Sequence, residues 1–149
     1  MKQEEKELLI KDICARLPYN VVVHIDDCGI WNLRGIDHDD SAELRDRVIV
    51  WHGKNYPSSK NSFPIMNCKP YLFPLSSMTD EQRKELEELG LGYYVTCQDI
   101  DDDGYMWDEK VFQMIPTTEI DDWMNAHHFD YRGLIEKGLA LDATNLNIY

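Results

Sequence analysis

The chain has 149 residues, 43% hydrophobic and 29% charged, with a formal net charge of −13. The length suits one domain and the apolar and aromatic content can fill a core, which excludes a disordered tail. Its 28 acidic side chains against 15 basic ones exclude generic binding to the phosphate backbone of nucleic acids, which needs a basic surface to release counterions.

Residues 3–17 read as an amphipathic helix, because Leu9, Ile13 and Leu17 recur at i, i+4 and i+8 while Ile10 and Cys14 widen the stripe. Pro18 ends it. The charged residues at 2–7 and the short apolar stretch that follows them leave no room for a signal-peptide core, and no run reaches the ~18 apolar residues of a membrane span. The expectation is a soluble, cytoplasmic chain with no membrane partner. Cys14, Cys28, Cys68 and Cys97 are widely spaced, without a C-x-x-C pair, so they are expected to be reduced and in or near the core.

The β-branched run at 19–25, the turn Asp26-Asp27-Cys28-Gly29 and the loosely alternating 30–36 predict a hairpin. Residues 37–46 are an acidic connection, 47–52 a third strand ended by Gly53, and 54–62 a loop. Residues 63–68 form a fourth, edge-confined strand because of Pro64. Strands this close in sequence, with no helix between them, must pair largely antiparallel. A small antiparallel sheet or SH3-like partial barrel follows.

Residues 69–75 are extended, since Pro70 and Pro74 prevent helix. Thr79 with Gln82 forms a capping box and Gly90 a C-terminal stop, predicting a helix over 80–89 anchored by Leu86 and Leu89. Residues 92–98 pair with 105–107 and 111–115, read as one interrupted strand or two short ones, in a second hairpin around the acidic bend 99–104. Thr118 with Asp121 starts a helix over 119–127, after which a sparsely charged tail docks. Trp31, Trp51, Trp107 and Trp123 have apolar neighbours and are expected in the core, with one or two of them surfacing in a partner site as the alternative.

The segment Asp99-Ile100-Asp101-Asp102-Asp103-Gly104 matches the first six positions of an EF-hand loop, but the twelfth position is Lys110, with Glu109 one place early, and the flanks read as strands. A solvated hairpin tip is the plain reading. A weak cation site built from Asp99, Asp101 and Asp103, or from His127 with Asp130, is the alternative. Adjacent histidines on a helix point about 100° apart, so His127 and His128 do not readily chelate one ion; Asp130 suits a cap on the next turn or a partner for Arg132. No nucleophile elbow, dinucleotide fingerprint or phosphate loop is present, so no enzyme activity and no cofactor are expected.

Charge is unevenly spread: residues 1–78 carry 10 basic and 11 acidic side chains, residues 79–149 only 5 basic and 17 acidic. The plain meaning is a solubilising face, and the functional one is a negative surface for a basic partner.

The segments 127–141 (HHFDYRGLIEKGLAL), 69–79 (KPYLFPLSSMT) and 11–19 (KDICARLPY) together resemble a group of short proteins encoded by phages, prophages and other mobile elements of anaerobic gut bacteria. The resemblance covers about a quarter of the chain. It implies a bacterial host cytoplasm and an accessory role, and carries over no catalytic residue.

The sequence thus predicts a single α+β domain over 1–149, with a helix-plus-sheet scaffold at 1–78 and an acidic helix–hairpin–helix portion at 79–149. It is expected to be a non-enzymatic protein-binding module whose contact residues are Glu87, Glu88, Asp101, Asp102, Asp103 and Asp122. Its partner would be a protein that is basic or itself nucleic-acid-binding. The alternatives are a cation-binding or metal-assisted small enzyme, and a DNA mimic that inhibits a host nucleic-acid-binding protein.

Overall fold

The computed structural model describes residues 1–37, 47–51, 60–100 and 102–149, and leaves the side chains of residues 51, 60, 99 and 100 undescribed. The chain is α+β, with the elements α1 (Gln3–Arg16), β1 (Val22–Ile25), β2 (Gly29–Asp37), β3 (Arg47–Trp51), β4 (Lys60–Pro64), β5 (Cys68–Leu72), α2 (Asp80–Glu88), β6 (Gly92–Ile100), β7 (Met106–Met114), α3 (Thr118–Ala126) and β8 (Leu141–Asp142). It divides into two units, Met1–Ser77 with Met124–Tyr149, and Met78–Trp123.

The first unit is built on a sheet in the order β4-β3-β2-β1-β5-β8. Its pairs are antiparallel except for β5–β8, where Tyr71 meets Leu141 in parallel. The open order realises the small-sheet form of the expected fold, with β4 and β8 at its ends. Residues 69–72 of the expected extended segment 69–75 form, with Cys68, the inner strand β5 between β1 and β8, and the edge strand expected over 63–68 lies instead at Lys60–Pro64. Pro70 fits there opposite Val23 of β1.

Alternation along β1 assigns its two faces. Val23 and Ile25 join Leu9 and Ile13 of α1, Leu33, Val48, Val50 and Leu72 in the main core. Val22 faces the other way and packs with Tyr71 and Ala143, against which Phe73, Leu141 and Ile148 also lie. The helix therefore covers one face and the C-terminal tail part of the other. That tail is docked, as its low charge suggested.

Leu9, Asp12, Ile13 and Arg16, spaced i, i+3, i+4 and i+7, form the buried stripe of α1. Two of the four are charged. Arg16 donates from Nε to Asp12 Oδ2 at 2.8 Å, and from Nη2 to Asp12 Oδ1 at 3.0 Å and to the Phe129 carbonyl at 2.7 Å. Arg132 Nη1 reaches Asp12 Oδ1 at 2.9 Å, and its guanidinium lies 4.3 Å from the centroid of the Tyr131 ring. This cluster ties α1 to the segment 129–132.

The second unit contains α2, the hairpin β6–β7 and most of α3. Thr79 caps α2 reciprocally with Gln82, as predicted: Thr79 Oγ1 accepts from Gln82 N at 3.3 Å and Thr79 N donates to Gln82 Oε1 at 2.9 Å. Leu86 is wholly buried but Leu89 is exposed, so one leucine and not two anchors this helix. The cap of α3 is Thr117, one residue before the predicted one, accepting from Ile120 N.

Candidate functional site

The residues 78–123 carry 14 acidic side chains against 3 basic ones, a net −11 of the chain's −13. Their central feature is the antiparallel pair β6–β7, in register from Gly92 opposite Met114 to Ile100 opposite Met106. One face presents Tyr94, Thr96 and Gln98 with Phe112, Lys110 and Asp108. The other presents Tyr93, Val95 and Cys97 with Gln113, Val111 and Glu109, followed by Trp107.

Neither face is covered along its length. Exposed residues include Tyr93, Tyr94, Val111 and Met114, with Met106 65% and Trp107 45% exposed. Trp107 is thus at the surface and not in the core, because two-residue alternation places a side chain on a face without revealing whether anything packs there. The ribbon holds itself together across the strands: Tyr94 meets Phe112 edge-on at 5.1 Å between ring centroids, and Tyr93 Oη donates to Gln113 Oε1 at 3.1 Å. At Gly92 a Cβ would come 2.2 Å from Phe112 Cζ, so glycine leaves room for the tip of that ring against the strand.

The sequence-predicted contact residues are distributed as follows. Asp102 and Asp103 are exposed in the turn before Gly104, whose φ of 84° suits glycine. Asp101 lies outside the described residues. Glu87 and Glu88 are exposed at the C-terminal end of α2, and Asp122 is exposed on α3. Asp99 pairs through its backbone with Trp107, so the flanks of the EF-hand-like segment are strands. Among the described residues no cluster of three or more His, Cys, Asp or Glu side chains could hold a metal ion.

The other candidate residues belong to the first unit. His127 is half-buried. Asp130 is buried and caps the following turn, accepting from Leu134 N and Ile135 N at 2.8 Å each. His128, singled out only as the neighbour of His127, has the more unusual setting. Its backbone is left-handed, with φ 60°, and its ring stacks on Tyr149 at 3.7 Å between centroids. Tyr149 Oη in turn donates to the Tyr71 carbonyl at 2.7 Å and accepts from Val22 N at 3.3 Å. Burial above all, and then the charges of Arg16 and His127, push the His128 pKa down to about 4.

Comparison with family models, curated proteins and solved structures finds no match to this chain. The functional reading therefore rests on geometry and charge.

Cys68 is buried, and its thiol is pushed up to about 12 by burial and the charge of Asp26. Cys14, Cys28 and Cys97 are exposed, against the expectation of core positions. Cys14 and Cys97 occupy outward positions of α1 and β6, and Cys28 lies in the turn between β1 and β2. Sequence reasoning also passed over Asp12 and Arg16. Their place on the Leu9–Ile13 stripe was the available signal.

Proposed function

We propose that this chain is a non-enzymatic protein-binding module that docks a basic protein through the β6–β7 hairpin. The observation that carries this reading is a ribbon of nine paired positions exposed on both faces, with aromatic and methionine side chains set among acids. An isolated two-stranded ribbon is marginal in water, and exposed apolar residues on such a scaffold suit a surface that is covered in use. Tyr93, Tyr94, Met106 and Trp107 supply apolar anchors of the kind enriched at interfaces. Asp102, Asp103, Asp108 and Glu109 supply the charge that selects a basic partner, while Glu87, Glu88 and Asp122 add to the surrounding negative field.

A second copy of the chain is a poor occupant, because it would bring two strongly negative hairpins together. The test compares the wild type with a Trp107→Ser, Asp108→Lys, Glu109→Lys variant as baits in host lysate over a range of salt. A captured protein with a basic surface, lost with the variant and weakened by salt, supports the proposal. Equal capture by both baits, or capture of acidic proteins only, overturns it. Displacement of the captured partner by DNA would narrow the reading to a DNA mimic.

A further inference from the structure

The strands β6 and β7 form a sheet of their own, so each is paired along one edge and open along the other. One hydrogen bond fixes which backbone groups lie on the open edges. Ile115 N donates to the Leu91 carbonyl at 2.8 Å, and in an antiparallel ladder directly opposite residues alternate between bonded and non-bonded pairs. Along the continuous register the bonded pairs therefore run from Tyr93–Gln113 to Asp99–Trp107. The residues between them on β7, namely Met106, Asp108, Lys110, Phe112 and Met114, turn their N–H and C=O groups away from β6. Among the described residues no other backbone segment bonds to that row.

Of the two edges, β7 is the freer. Every residue of it is exposed except the half-buried Phe112, whereas α2 lies close to β6 and Gly92 is buried at its start. Edge strands are commonly blunted by brevity, proline, a bulge or lysine. β7 is nine residues long, against about five or six for an ordinary strand. It has no proline, its register with β6 is unbroken, and Lys110 is its one basic residue. A two-stranded ribbon is marginal in water, and a third strand is what it lacks.

The side chains along this edge state what the third strand must carry. Asp108 and Glu109 are consecutive, so each face of the ribbon presents one carboxylate beside the edge; Val111 and Phe112 likewise present one apolar group on each. Residues directly opposite each other in a sheet interact, with opposite charges and apolar pairs favoured. A fitting strand thus has two adjacent basic residues facing Asp108 and Glu109, and adjacent apolar residues facing Val111 and Phe112. A second β7 lacks the adjacent bases and would bring together two units whose residues 78–123 each carry a net −11.

We propose that an extended segment of the partner, with a basic pair at one end and apolar residues at the other, adds to β7 as a third, antiparallel strand. This mode of recognition takes its affinity from main-chain hydrogen bonds and its specificity from alternate side chains, and it rests on the hairpin being the docking surface.

The probe is the capped peptide VTVITKKTV, titrated into the full chain while amide exchange along β6 and β7 is followed by NMR. The outward amides Met106, Asp108, Lys110, Phe112 and Met114 should exchange quickly in the free chain and slow saturably with peptide. VTVITEETV should leave them unprotected. Lys110→Pro removes one outward N–H and none of the bonds to β6, and should weaken the peptide about tenfold, the cost of a lost hydrogen bond and of the carbonyl left unpaired. Lys110→Thr removes the same charge but keeps the N–H, and should bind at least as tightly as the wild type. No saturable binding, equal binding of the glutamate peptide, protection of the outward amides of β6 instead, or protection by self-association without peptide would overturn the proposal. Peptide binding that shifts the faces of the hairpin without slowing the outward amides of β7 would also overturn it, while leaving the hairpin as the docking surface. The docking reading itself fails separately, in the lysate capture by the wild-type bait.

Discussion

Replacing Asp12 by Asn tests the buried cluster that ties α1 to the segment before the tail. The carboxylate accepts three charge-assisted hydrogen bonds, two from Arg16 and one from Arg132, and both Asp12 and Arg16 are completely excluded from solvent. The amide removes the negative charge but leaves the Arg16 guanidinium buried, with Nη1 already lacking a partner. Breaking one side of a buried pair costs about 3–5 kcal/mol, whereas replacing both partners by apolar groups of similar size is close to neutral. Asp12→Asn and Arg16→Met should each destabilise by about 3–5 kcal/mol, and Asp12→Leu with Arg16→Met should cost far less than the two single changes added together. Urea unfolding followed by far-UV circular dichroism measures all of these. A cost below about 1 kcal/mol for Asp12→Asn would refute the reasoning, since that is the range of exposed pairs.

Three further outcomes follow from the same geometry. With its folded-state pKa near 4, His128 stays neutral where the unfolded chain's histidine, near 6.5, takes up a proton. Its contribution is full above about pH 6.5 and is lost as the pH falls towards 4, by at most roughly 3 kcal/mol. His128→Phe should flatten the decline of urea stability between those pH values, and an unchanged slope would contradict the assignment. Gly92→Ala should displace the Phe112 ring and lower the stability of the hairpin by about 1–3 kcal/mol, read as faster amide exchange along β6 and β7; unchanged protection would count against the close packing. A disulfide-exchange reagent should label Cys14, Cys28 and Cys97 in the folded chain and spare Cys68 until denaturant is added, whereas rapid labelling of all the thiols would show that the core around Cys68 opens readily.

Local chemistry made much of the fold legible. The β-branched runs of β1 and β3, the Thr79–Gln82 cap and the second hairpin depend on neighbours a few residues away, and each is found where the sequence placed it. What escaped was set by distant partners. The Phe129 carbonyl that receives Arg16 is 113 positions away, and β8 joins β5 across some 70 residues of chain. An acid and a base at i, i+4 also read as an ordinary surface pair unless they are placed on the apolar stripe beside Leu9 and Ile13. His128 owes its burial to the terminal Tyr149, which no periodicity links to it. The acidic excess was visible as composition, but its association with a doubly exposed aromatic ribbon emerged only from the strand register.

The most direct test of the hairpin as a docking surface is site-specific photo-crosslinking in cells, with the photoreactive amino acid at Trp107 and, as a control, at Met66, which is also exposed but lies in the first unit. The account predicts a discrete crosslink from position 107, to a protein with a basic surface, that is absent from position 66. No crosslink from 107, or one only to a second copy of this chain, would contradict it.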